Sequence, residues 1–110
     1  MSLADGRIVV FVTAPDAEDA SRIARVLVEE GLCACASVVG PIRSIYRWQG
    51  RVIDDDAEAL LVLKTRGALF APLEARVREL HPYEVPEIIA LPITAGSEAY
   101  LLWIDQMTTA

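Results

Sequence analysis

Hydrophobic and polar residues change period several times along the chain, and each change marks an element. Arg7 to Ala14 carries Val9, Val10 and Val12 in a β-branched run, which predicts a buried strand ending at Pro15. Asp16 then stands as an N-cap with Glu18 and Asp19 behind it. Ala20, Ile23, Ala24 and Leu27 recur at helical spacing as far as Gly31. This predicts an amphipathic helix with a glycine stop. Leu32 to Val39 reads as a second strand broken by Gly40-Pro41, and Ile42 to Trp48 resumes the extended pattern with Ile42, Ser44, Tyr46 and Trp48 on one face. Gln49-Gly50 makes a turn. The return limb runs from Arg51 through Asp54, Asp55, Asp56 and Glu58 into Leu60 to Leu63 and Lys64. Such arms exceed the usual strand of about 5–6 residues and predict a hairpin that projects beyond a single domain.

A second helix is expected over Ala68 to Leu80, with Leu69, Leu73, Val77 and Leu80 on one stripe and Pro72 tolerated only in the first turn. His81-Pro82 ends it. Glu87 to Ile93 reads as a further strand, and Ser97 is expected to cap a last helix carrying Tyr100, Leu101, Ile104 and Met107. The order β-α-β-β-α-β-α, without linker or repeat, predicts a single α+β domain over 1–110 with its core at about 7–108. The matching architecture is the ferredoxin-like split βαβ, an antiparallel sheet with helices on one face. The other face then needs a cover. Long apolar hairpin arms and exposed sheet edges point to further copies of the same chain, hence a homo-oligomer.

Charge narrows the partners. Sixteen acidic residues against ten basic ones leave a formal net charge of -6 over 110 residues, which opposes binding to nucleic acid or to an anionic membrane. No apolar run approaches the roughly 20 residues of a bilayer span. The opening Met-Ser-Leu-Ala-Asp-Gly-Arg does not read as a secretory signal, so a cytoplasmic location is expected.

The chemistry-bearing residues are few. Cys33 and Cys35 share a strand face too far apart for an unstrained mutual disulfide; they read as buried thiols, with a Cys-x-Cys soft-metal site as the alternative. His81 is the only histidine, either a helix-end residue bonding terminal groups or a ligand borrowed at a subunit boundary. Asp54, Asp55, Asp56 and Glu58 offer oxygen ligands for a hard cation, but strict alternation places Asp54, Asp56 and Glu58 on one face and Asp55 on the other, so all four cannot converge; the favoured reading is a solvated edge, from which Glu58, beside an apolar run, stands apart. His81, Tyr83, Glu84, Glu87 and Lys64 form a mixed titratable set suited to a polar cleft. No serine elbow, phosphate loop, nucleotide fingerprint or metalloprotease helix accompanies them. Trp48 and Trp103 read as packing residues, Trp48 near the hairpin tip where it can meet a neighbouring subunit.

The motifs Val12-Thr13-Ala14-Pro15-Asp16, Ser44-Ile45-Tyr46-Arg47-Trp48-Gln49-Gly50, Leu63-Lys64-Thr65, His81-Pro82-Tyr83-Glu84-Val85-Pro86-Glu87 and Tyr100-Leu101-Leu102-Trp103, together with Cys35, fall in one order. Over about residues 7 to 108 the chain thereby resembles the CutA divalent-cation tolerance family. The resemblance implies a ferredoxin-like subunit assembled as a homotrimer through its long hairpin, linked to copper and other divalent ions, with no obligatory cofactor. It also implies metal ligands at a cysteine before Thr-Ala-Pro-Asp and at two adjacent histidines before Pro-Tyr. Here Val12 and Leu80 stand at two of those positions, leaving His81 alone. Strong copper binding is therefore not expected, and weak binding of copper or another divalent cation would run through His81 with carboxylates or symmetry mates. The first functional reading is a trimeric metal-response or ligand-sensing protein with an intersubunit cleft at Trp48, Glu58, Lys64, Tyr83 and Glu87. A scaffold trimer anchoring another protein is the second, and an enzyme using His81 or Tyr83 for proton transfer the third.

Overall fold

The computed structural model describes residues 5–108. The reading of the first residues as lacking a secretory signal rests on Met1 to Ala4, which lie, with residues 109–110, outside the described part. Strand β1 (Arg7–Ala14) alternates strictly, burying Ile8, Val10, Val12 and Ala14 under the helices and turning Val9, Phe11 and Thr13 the other way. Helix α1 (Ala17–Glu29) starts where the Asp16 side chain accepts from the Asp19 N–H at 2.8 Å, and it buries Ala20, Ile23, Ala24 and Leu27. Gly31, at φ 72°, turns the chain out of it. Arg22 pairs with Asp19 at 3.2 Å and donates to the Leu80 carbonyl at 3.0 Å.

The second strand starts later than its composition suggests. Leu32 and Cys33 still give their N–H groups to the Leu27 carbonyl, so β2 spans Cys35–Trp48. Nor does Gly40-Pro41 break it. β2 runs on and pairs with β3 (Arg51–Arg66), absorbing an extra residue of its own between Val39 and Ile42 and an extra residue of β3 between Ile42 and Ser44. Gly40 suits the close approach there, since a Cβ would sit a tight 3.2 Å from the Ala59 Cβ. Gln49 and Gly50 take positive φ, 50° and 76°, as a primed hairpin turn demands.

A 3₁₀ turn, Gly67–Leu69, precedes α2 (Phe70–Leu80), which places Pro72 in the first helical turn, where it does no harm. Leu73 and Val77 are buried and Leu80 is half-buried. β4 is Ile88–Pro92, and α3 is Glu98–Met107. Ser97 occupies the capping position of α3, but its hydroxyl bonds no helix N–H; only its backbone carbonyl accepts, from Leu101. The sheet order β2-β3-β1-β4, antiparallel throughout, is the split βαβ arrangement.

The core lies between the sheet and α1 with α2, around Ile8, Val10, Ile23, Leu27, Leu61, Leu63, Leu73 and Val77. Helix α3 departs from the expected single helical layer and packs on the opposite face, at the end of the sheet formed by the paired Arg7 and Arg66. The Arg7 guanidinium binds both Asp105 carboxylate oxygens at 3.0 and 2.6 Å, and Arg66 donates to the Thr108 hydroxyl and carbonyl. Beyond α3 this second face is apolar and bare: Val39, Ile89 and Leu91 remain 46%, 50% and 47% exposed beside half-buried Phe11, Leu60 and Val62.

Candidate functional site

The site grows from the point where β4 stops. β4 ends its pairing with Ile88 opposite Val12, so Thr13 has no partner on that side. His81 supplies one. The residue ends α2 by donating its backbone N–H to the Val77 carbonyl at 2.8 Å and folds its ring back over β1. There its Nε2 lies 2.7 Å from the Thr13 carbonyl oxygen, while Nδ1 is 3.0 Å from the Tyr83 backbone N–H. A carbonyl only accepts and an amide N–H only donates, so the geometry assigns a neutral ring protonated on Nε2. Both nitrogens of this buried ring are thus committed to backbone. The ring thus bonds β1 and the loop after α2 rather than the terminal carbonyls of α2 that a helix-end histidine was expected to satisfy, and it keeps no lone pair for a metal.

The anchored ring orients Tyr83, whose own ring packs on it with centroids 5.0 Å apart. Tyr83 in turn donates its hydroxyl to Glu58 Oε2 at 3.4 Å. Glu58 is only 4% exposed, in contrast to the neighbouring aspartates. The register shifts correct the alternation drawn from sequence. Ile42 faces Glu58 and Ser44 faces Asp55, which puts Glu58 and Asp55 on one side and turns Asp54 to the other. Asp54 there forms a bidentate pair with Arg43 at 2.8 and 2.6 Å, and the Asp55 carboxylate accepts from the Ala57 N–H at 2.9 Å within the bulge.

Between the hairpin and the loop after α2 lies a cleft of about 690 Å³, lined by Thr13, Ser44, Ile45, Tyr46, Trp48 and Glu58 and, across from them, by Pro82, Tyr83, Glu84, Val85 and Glu87. Its electrostatics are one-sided. Partial burial, the negative charges of Glu58 and Asp55, the Tyr46 hydroxyl and the bond to Glu58 push the Tyr83 phenol up to about 12.

Five of the residues singled out from sequence, Trp48, Glu58, Tyr83, Glu84 and Glu87, therefore meet in one place. Lys64 does not join them. It sits six residues from Glu58 along β3, about 20 Å at strand rise, opposite Val9 and Cys35. His81 supports the cleft without lining it. Ser44 and Tyr46 were missed as site residues, although both shared the face predicted for Trp48; nothing in the sequence marked Thr13. Cys33 and Cys35 are unbridged and remote from the cleft. Burial pushes the Cys33 thiol up to about 12, and the Cys35 Sγ lies 3.8 Å from the Tyr100 hydroxyl. Among the described residues no group of three or more His, Cys, Asp or Glu side chains is placed to hold a metal ion.

The model of the CutA1 divalent ion tolerance protein family matches residues 8–107. The chain belongs to the CutA1 family. It is 51% identical over 100 residues to the divalent-cation tolerance protein CutA of Thermus thermophilus, covering 91% of this chain and 96% of that protein. It is also 48% identical over 101 residues to the chloroplastic protein CutA of Arabidopsis thaliana, covering 92% of this chain and 55% of that protein. The chain thus spans about half the length of that plant relative. The crystal structure of CutA1 from Oryza sativa superposes with a TM-score of 0.91 at 44% identity, covering 98% of each chain. Against this CutA1 background, Val12 is fully buried beneath the helices and Leu80 half-buried against the core, so neither position implied as a metal ligand presents one.

Proposed function

We propose that this CutA1-family chain acts in divalent-cation tolerance as a cytoplasmic homotrimer that senses a ligand, without catalysis, at clefts completed between subunits. The observation that carries the reading is the cleft itself, in which a nearly buried carboxylate, Glu58, meets Tyr83 beside an exposed Trp48. A buried carboxylate with one long neutral hydrogen bond is costly unless a partner or ligand compensates it. Trimer assembly is supported by the bare apolar face and by a hairpin that stretches the molecule to 43 Å against 27 and 22 Å. No helix among the described residues is long and apolar enough to cross a membrane.

With both His81 nitrogens occupied, the imidazole offers no metal ligand; divalent-ion binding, copper included, is weak and runs through carboxylates brought together by symmetry mates rather than within the cleft of one chain, and no resident cofactor is required. Sedimentation equilibrium at low micromolar concentration is expected to find three chains; a well-folded single chain would overturn the assembly. Titration calorimetry with copper and zinc is expected to give the same heats for the wild type and His81→Asn. Heats lost in the variant would return the metal to His81.

A further inference from the structure

The cleft's lining specifies a charge and a shape. It contains three carboxylates, Glu58, Glu84 and Glu87, three aromatic rings, Tyr46, Trp48 and Tyr83, and no lysine or arginine. Within one protomer the nearby bases of the hairpin do not neutralise it, because Arg43 is held by Asp54 on the opposite side and Arg47 and Arg51, the neighbours of Trp48 along and across the strands, lie outside the lining. Glu58 is the most informative member. The residue is only 4% exposed, its accessible part opens on the cleft, and the one polar partner of its carboxylate is the neutral Tyr83 hydroxyl at 3.4 Å, which leaves acceptor capacity for a cation.

A bare divalent ion fits this lining poorly. Calcium and magnesium take six or more oxygens at about 2.0–2.6 Å, whereas no three metal-ligating side chains converge among the described residues. The cleft is also far larger than one ion, at about 690 Å³, and part of its wall is aromatic and aliphatic. Aromatic faces attract a charge spread over alkyl groups without requiring oxygen coordination. Resting on the reading of this cleft as a ligand site, we propose that its ligand is an organic ammonium ion, countered by Glu58 and enclosed by Tyr46, Trp48 and Tyr83.

Choline and its neutral isostere 3,3-dimethylbutan-1-ol differ in charge at nearly constant shape. Calorimetry and Trp48 fluorescence on the assembled protein are expected to show choline binding at least about tenfold tighter than the alcohol. Trp48→Leu alters an exposed residue and Glu58→Gln keeps the side chain's shape; each is expected to weaken choline binding while sedimentation and far-UV dichroism stay unchanged. Equal binding of the two probes, choline binding indifferent to both variants, or no choline binding at millimolar concentration would overturn the proposal. Binding of the neutral alcohol or of acetate at the cleft, lost in Trp48→Leu, would then keep the cleft as a ligand site for another chemistry. Silence toward choline, alcohol, acetate, copper and zinc together would sink both readings.

Discussion

His81→Ala tests how the site is built. The substitution removes two hydrogen bonds at once, leaving the Thr13 carbonyl without its 2.7 Å donor and the Tyr83 N–H without its 3.0 Å acceptor. It also removes the ring on which Tyr83 packs. A buried polar group left unpaired costs about 1–3 kcal/mol. The two losses share one side chain and one loop, so they do not add fully, and a net destabilisation of about 2–4 kcal/mol is expected. Urea unfolding followed by far-UV dichroism, at fixed protomer concentration and with a chelator present, measures it. His81→Asn keeps a donor and an acceptor on a shorter side chain and is expected to recover part of the loss. A metal-free His81→Ala protein within about 0.5 kcal/mol of wild type would refute the reasoning, since a ring that only awaited a metal would cost the empty protein nothing.

Other outcomes follow from single residues. The Tyr83 phenol is raised above its ordinary value, so its contribution to stability is complete below about pH 10 and is lost as pH climbs from 10 towards 12; Tyr83→Phe is expected to flatten that part of the stability profile, and an unchanged profile would contradict it. Asp105 behaves oppositely, because hydrogen bonds from Arg7 hold its carboxyl below the usual range. That support is present above about pH 4 and fades in stronger acid, and Arg7→Gln is expected to remove it and to speed amide exchange in α3. With its thiol pushed up to about 12, Cys33 is expected to resist a disulfide reagent in the native protein, so Cys35→Ala should leave no fast-reacting thiol. Gly50→Ala meets no atom within 4 Å but forces a side chain onto φ 76°, and thermal melting is expected to register a loss of about 1 kcal/mol.

Periodicity made much of this molecule legible. The alternation in Arg7–Ala14 and the helical spacing of Ala20, Ile23, Ala24 and Leu27 each report one buried face, and both elements fall where the pattern puts them. The pattern fails where a tertiary event resets it. Asp54 and Asp55 exchange faces because one surplus residue enters β3 between Glu58 and Asp55, which strict alternation along the strand does not register. The delayed start of β2 reflects the Leu27 carbonyl still holding Leu32 and Cys33 after the helix has ended. His81 was readable as a helix end, but its acceptor on Thr13 is 68 positions away and is left over by the short length of β4. The shared face of Ser44, Tyr46 and Trp48 was visible; that Tyr83 would be turned towards it depended on that distant hydrogen bond.

The paired irregularities of the β2–β3 hairpin constrain how this chain can change in length. One strand gains a residue between Val39 and Ile42, the other between Ile42 and Ser44, and past them the pairing resumes in its original phase as far as Trp48 and Arg51. Deleting either surplus residue alone would rotate the whole distal arm by half a turn, presenting Arg43, Ile45 and Arg47 where Ser44, Tyr46 and Trp48 now stand. A change in the length of this ribbon that keeps Tyr46 and Trp48 on their present face therefore needs compensated steps, one on each limb.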